Sequence, residues 1–260
     1  MKNNKNSKPI RNHKVYYGKK KVSIDEKRNN ISKIFSEVSY NYDKMNDIMS
    51  FGTHRLWKKD LVERVSYELT TNKVSKILDI AGGTGDISFS ILNKKPNNEI
   101  TILDLTPDMI EIGKSKASKL GFINNPIWIA ADSANLPLRD SFYDIVTCAF
   151  GIRNVAEIDK TLRNAYNTLK PGGKIFIMEF SPKILSPFQK PYSYYLNHII
   201  PRLGEKFANN RNAYQYLIES IETFDKPEKF VTKIKKANFK IIKLKKYLGG
   251  IAYLYIAAKI

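Results

Sequence analysis

Cysteine is nearly absent from the chain, with Cys148 alone among 260 residues. No internal disulfide can form and no cysteine cluster can hold a structural zinc, which points to a reducing compartment, the cytoplasm. Histidine is equally scarce. His13, His54 and His198 show no metal-ligand spacing with one another, with cysteine or with carboxylates, so no metal is expected. No stretch reaches the roughly 18 consecutive apolar residues of a spanning helix. The opening MKNNKNSKPIRNHK lacks the apolar segment of a secretory signal, and it is too poor in Arg and Ala for an organelle transit peptide. A soluble or peripheral protein is expected.

What is present fits a globular chain: 42% hydrophobic and 12% aromatic residues. The length suits one α/β domain with a sizeable core. The net charge of +19 suggests nucleic acid until it is located. Residues 1–30 carry ten Lys or Arg against Asp25 and Glu26, and residues 226–260 carry ten Lys against Glu228. The body between them is almost neutral, which argues against a dedicated basic groove. Residues 1–30 read as a basic, disordered tail. The C-terminal lysines read either as compositional drift or as attraction to the anionic inner face of a membrane.

From residue 76 onward, strand-like runs alternate with helical patterns, the signature of a largely parallel sheet covered by helices. The runs are KILDI (76–80), EITILDL (99–105), PIWIAA (126–131), YDIVTCAF (143–150) and GKIFIMEF (173–180), with helices near 85–93, 107–120 and 157–169. FKIIKLKKYL and GIAYLYIAA meet at Gly249-Gly250 and read as a terminal antiparallel hairpin. Residues 181–225 read as a helical insertion over one end of the sheet.

The first of these strands ends in Asp79-Ile80-Ala81-Gly82-Gly83-Thr84-Gly85-Asp86. Glycines there allow a tight turn and close approach of a ligand to the backbone, so Gly82, Gly83, Thr84 and Gly85 are candidate cofactor contacts. Ser88 stands where a dinucleotide fingerprint needs its third glycine. Asp104 ends the second strand, about twenty residues on, where a carboxylate accepts both ribose hydroxyls. Asp132 and Ser133, past the third strand, lie at the same edge and reach toward the adenine end.

These residues, with LKPGGK before the fifth strand, resemble the class I S-adenosylmethionine-dependent methyltransferases. The resemblance implies a Rossmann-like, mostly parallel seven-stranded sheet with helices on both faces and S-adenosylmethionine as cofactor. A sulfonium and an amino group are cations, which makes Asp86 and the acidic rim understandable.

Tyr42, Asn46, His54 and Trp57 in YDKMNDIMSFGTHRLWKKDLV, together with FGIRNV at 150–155, resemble the quinone C-methyltransferases over roughly residues 31–258. That family methylates polyprenylated benzoquinols and naphthoquinols in ubiquinone and menaquinone biosynthesis. The likeness implies one methyltransferase domain over 31–260, with 31–70 as lid and substrate helices and Tyr42 and Asn46 facing substrate. The ring carbon becomes nucleophilic when a hydroxyl with a pKa of about 10 loses its proton. Arg153 and Asn154 are the first candidates to stabilise that charge, and His54 is a candidate base. Trp57, Leu61 and Val65, spaced four apart, read as the buried face of a helix. Ala149 stands where relatives often carry a hydroxyl, and the C-terminal hairpin lacks a histidine that many relatives have. The competing readings are a nucleic-acid methyltransferase and a non-catalytic assembly factor. A homodimer and weak peripheral membrane contact complete the expected partners.

Overall fold

Short apolar runs such as ILDI, with no polar alternation, suit strands covered on both faces. They form one seven-stranded sheet in the computed structural model, which describes residues 14–39, 46, 47, 50, 52–70, 73–122, 124–136, 138–185, 189, 192–200, 202 and 211–260. Two strands precede it, β1 (Val15–Tyr17) and β2 (Lys20–Val22). The sheet strands are β3 (Lys76–Ile80), β4 (Glu99–Asp104), β5 (Ile127–Ala130), β6 (Tyr143–Ala149), β7 (Leu169–Phe180), β8 (Lys240–Tyr247) and β9 (Ala252–Ala258). Their order is β5-β4-β3-β6-β7-β9-β8. β3 to β7 run parallel, and β9 runs antiparallel to both its neighbours. The terminal hairpin thus closes the sheet as the Gly249-Gly250 turn predicts. β7 starts earlier than expected, at Leu169, because the LKPG segment continues the strand.

The helices are α1 (Ile24–Val38), α2 (His54–Glu68), α3 (Asp86–Lys94), α4 (Pro107–Lys119), α5 (Ile158–Thr168), α6 (Arg211–Glu222) and α7 (Pro227–Lys236). Side chains alternate between sheet faces, so each strand feeds two cores. Ile77, Ile102, Phe176, Met178 and Leu254 pack with α1, α2, α3 and α6, while Leu78, Val146, Ile177 and Tyr255 pack with α5 and α7. Trp57, Leu61 and Val65 are buried, as their four-residue spacing requires. Cys148 is buried too, and burial pushes its thiol pKa well up.

Residues 14–30 differ from the expected disordered tail. Ser23 Oγ accepts from Glu26 N at 3.1 Å and caps α1, whose first turn holds Asp25 and Glu26. Ile31, Ile34, Phe35 and Val38 then bury one stripe of the helix. β1 and β2 form a hairpin whose Tyr17 stacks on Tyr216 of α6, ring centroids 4.6 Å apart. Net charge hid this because Lys14, Lys19, Lys20 and Lys21 lie on the outside of a structure held by its apolar residues, while Lys27 is buried and donates to Val155 O at 3.0 Å. Residues 1–13 lie outside the described part.

Candidate active site

The chain runs from β3 outward through β4 and β5, then returns to β6 on the other side of β3. Such a reversal leaves a crevice at the carboxyl ends of the strands, where ligands bind in open α/β sheets. Ala81 and Phe150, the first residues past β3 and β6, both take left-handed backbone angles, φ 51° and 57°. A conformation that costs roughly 1–3 kcal/mol persists where surrounding structure enforces it, often at a functional site. Here the enforcement is contact: a Cβ on Gly151 would lie 2.5 Å from that of Ala81.

The loop from Gly82 to Gly85 carries the chain into α3, with Gly85 at φ 89° in the capping position. Above Gly83 the space is open, the nearest atom to an added Cβ being Asp104 Oδ2 at 4.0 Å. Asp104 braces this loop: Oδ2 accepts from Gly83 N at 2.8 Å and Oδ1 from Thr106 N at 2.9 Å. Burial pushes its carboxyl pKa up, against the opposing pull of those N–H donors. Asp79 lies beneath the loop, accepting from Ser88 Oγ and Thr147 Oγ1, each at 2.7 Å. Burial raises it to about 6.

Two recesses meet at this loop and share Ala81, Gly83 and Phe150. The larger, about 650 Å³ measured to its open mouth, holds Asp104, Asp132, Ser133 and Asn154 among apolar residues that include Met109 and Phe35. The smaller, about 390 Å³, sets Asp79, Thr84, Asp86 and Lys58 beside Ile87, Ala149 and Phe150 in its wall. One ligand with an adenosine half and an amino-acid half fits the pair. Asp104 would meet the ribose hydroxyls and the apolar walls the base, with Phe150, which lines both recesses, at the junction of the two halves near the sulfonium. Residues and chemistry therefore fit S-adenosylmethionine.

Asp132 Oδ2 pairs with Arg28 at 2.6 Å and its Oδ1 accepts from Ala134 N, while Ser133 Oγ lies 3.1 Å from Thr161 Oγ1. Asp86 is not left open for a cationic ligand alone, because Lys58 Nζ already lies 3.1 Å from it. Thr84 Oγ1 accepts from Lys116 Nζ at 2.9 Å.

The structure brings Arg153 and Asn154 to the turn after β6 but faces them apart. Asn154 lines the larger recess, and its Oδ1 accepts from the Tyr216 hydroxyl at 2.9 Å. Arg153 is 4% exposed and pairs with Glu179 Oε1 at 2.7 Å, donating also to Phe150 O and Ser220 Oγ. His54 lies outside both recesses, lining an outer groove with Lys58 and Asp86. Burial lowers its pKa to about 4, so the ring is neutral. Ser50 Oγ donates to Asn46 O at 2.8 Å, so its contact with His54 Nδ1 at 2.9 Å makes Nδ1 the donor and leaves Nε2 as acceptor. Asn46 is 2% exposed, and its Nδ2 has no hydrogen-bond partner among the described residues. Tyr42 lies outside the described residues.

Arg28 of α1, in the segment read as a tail, escaped sequence reading, and Ile31 and Phe35 were covered only as part of the lid and substrate helices; all three line the larger recess. The signal was available in Ser23-Ile24-Asp25-Glu26, an S-x-x-E capping pattern. Among the described residues, no group of His, Cys, Asp and Glu could hold a metal ion.

The sequence profile of the ubiE/COQ5 methyltransferase family matches residues 21–259. The ubiquinone/menaquinone biosynthesis C-methyltransferase UbiE of Zymomonas mobilis is 42% identical over 247 residues, covering 95% of this chain and 99% of that one. Among solved structures, a SAM-dependent methyltransferase from Aquifex aeolicus superposes with a TM-score of 0.55 at 16% identity, over 76% of this chain and 89% of its own. The [4+2]-cyclase SpnF reaches 0.64 at 12% identity, over 88% of this chain and 94% of its own. At such identities these two likenesses speak for the fold alone, one shared by a methyltransferase and a cyclase.

Proposed function

Because the chain belongs to the ubiE/COQ5 methyltransferase family, we propose that it methylates a ring carbon of a polyprenylated benzoquinol or naphthoquinol, using S-adenosylmethionine. The observation that carries this reading is the recess running from Asp104 to Asn154, in a chain 95% of which aligns with a ubiquinone/menaquinone biosynthesis C-methyltransferase. S-adenosylmethionine supplies a methyl group on a sulfonium, ready for attack by an electron-rich carbon.

The protein's part is to bind, orient and stabilise. Asp104 and the glycine loop hold the nucleoside, and Asp132 with Ser133 closes its outer end. Asn154 presents its carboxamide toward the recess while Tyr216 fixes its oxygen, which leaves the N–H₂ free to donate to the oxygen of an ionising quinol hydroxyl. The buried guanidinium of Arg153, paired with Glu179 and donating to Phe150 O and Ser220 Oγ, sets the turn that aims Asn154. Asn46, with its unmet buried donor, serves the substrate oxygens, whereas His54, outside both recesses and with its pKa lowered to about 4, is too weak a base to take the hydroxyl proton.

The test is transfer of labelled methyl from S-adenosylmethionine to reduced short-chain analogues of both quinols, the product position read by mass spectrometry and NMR. Methylation of carbon in one or both is expected. Transfer to RNA or DNA instead, or cofactor binding without transfer to either quinol, would overturn the proposal.

A further inference from the structure

Lys58 follows Trp57 in α2, and the two point to different tasks. Trp57 is 4% exposed, stacks on Tyr247 with centroids 5.6 Å apart and lies 6.4 Å from Phe150. It clamps α2 against the sheet beside the β6 turn. Lys58 then reaches the smaller recess beside the glycine loop, its side chain only 15% exposed and its ammonium 3.1 Å from Asp86 Oδ2. Among the described residues lining that recess it is the one cation, with Lys116 Nζ just outside it, 2.9 Å from Thr84 Oγ1 and 3.8 Å from Asp86 Oδ1, and Asp79 is engaged there by Ser88 and Thr147. The same wall holds the start of α3, whose opening N–H groups add positive potential.

We infer that Lys58 holds the α-carboxylate of the cofactor's amino-acid group, with Asp86 keeping the ammonium in place over the loop. The inference rests on the reading that the two recesses take the two halves of S-adenosylmethionine. A carboxylate entering so enclosed a site needs a charged partner to offset its lost hydration. The assignment also gives α2 a second role. The helix follows directly on the segment that carries Asn46 and Ser50, so the cofactor's own charge anchors the element next to the substrate wall.

Calorimetric titration of the full-length wild type, Lys58→Met and Lys58→Arg tests this with two ligands. S-adenosylhomocysteine carries the amino-acid group, and 5′-methylthioadenosine carries the adenosine and thioether without it. Lys58→Met should weaken S-adenosylhomocysteine by about 10- to 100-fold, as expected for loss of a charged hydrogen bond. Methylthioadenosine affinity should stay unchanged, which also shows that the variant is folded. Lys58→Arg should restore much of the loss. Equal weakening of both ligands would make Lys58 a structural residue and overturn the inference, as would no weakening of either. If the wild type binds neither ligand, the cofactor reading itself fails and takes the inference with it.

Discussion

Arg153 and Glu179 are 4% and 0% exposed and 2.7 Å apart, and burial pushes the Glu179 carboxyl pKa up against the lowering effect of Arg153. Removing one partner leaves a buried group without its counter-charge, so Arg153→Ala should cost about 3–5 kcal/mol of stability. Replacing both by apolar residues of similar size should recover much of it. Urea midpoints of the two variants check this, and an Arg153→Ala loss below about 1 kcal/mol, the range of a surface pair, would count against the buried pairing. The sequence put Arg153 and Asn154 together at the catalytic edge. It could not show that the turn Ile152–Asn154 is a 3₁₀ helix. With three residues per turn, neighbours there point about 120° apart, and one pair serves two environments. His54 yields a second prediction at this scale. Its folded pKa of about 4 lies below the ordinary 6.5, so between those values the unfolded chain binds the extra proton and stability falls with acidification. Asp79 acts in the opposite sense. Its folded pKa of about 6 lies above the usual 3.8, so protonation on acidification relieves a cost that is complete above pH 6. His54→Gln should therefore lose less stability than wild type between pH 6.5 and 4, or gain some, in denaturation at stepped pH. Matching pH profiles for the two proteins would refute the neutral, buried state of His54.

α1 tests how far an element can be judged by its charge. Residues 24–30 lie inside a basic segment, yet α1 brings Arg28, Ile31 and Phe35 to the larger recess, and Arg28 joins Asp132 to Glu157 at 2.6 and 2.7 Å. Deleting residues 1–30 removes the hairpin, the helix cap and Arg28, so cofactor affinity should fall at least tenfold. Deleting residues 1–13 leaves all of them intact and should leave affinity unchanged. Titration with S-adenosylhomocysteine separates the two, and equal behaviour would deny α1 its place at the site. The elements most legible in sequence were those whose pattern is set locally. KILDI became a strand with the predicted ends because each face of a parallel strand must be apolar, and Gly249-Gly250 marked the hairpin because both glycines take positive φ, 65° and 105°. α1 was less legible because its apolar stripe is diluted by lysine and asparagine, and the hairpin before it is held by a distant partner, Tyr17 of β1 stacking on Tyr216. The same holds for the site. Asp104 could be named from position along the chain, whereas the pairing of Lys58 with Asp86 depends on two helices meeting in space.

At the scale of the whole molecule, the positive charge that the body lacks collects at one edge of the sheet. β8 is the edge strand, and Lys240, Lys243 and Lys246 are exposed along it beside the exposed Ile242 and Leu244. The adjoining turn exposes Leu248, and Leu185, whose N–H donates to Gly249 O, exposes another apolar side chain next to it. Lysines on an edge strand also block pairing with other sheets, which accounts for charge there but not for the apolar residues between. No helix among the described residues is long and apolar enough to cross a membrane. A basic edge with apolar side chains between its charges suits the anionic surface of a bilayer, where each lysine contributes about 1 kcal/mol. The full-length protein should therefore float with vesicles containing anionic lipid at low salt. Binding should fall as ionic strength rises and should be weak on zwitterionic vesicles. Changing Lys240, Lys243 and Lys246 together to Ser should weaken anionic-vesicle binding by roughly 100-fold, the equivalent of about 3 kcal/mol. Transfer to a short-chain, water-soluble quinol analogue should be unaffected, since these residues lie outside both recesses. Unchanged flotation of the triple variant would remove β8 as the contact, and a wild type left wholly in the soluble fraction would remove the bilayer.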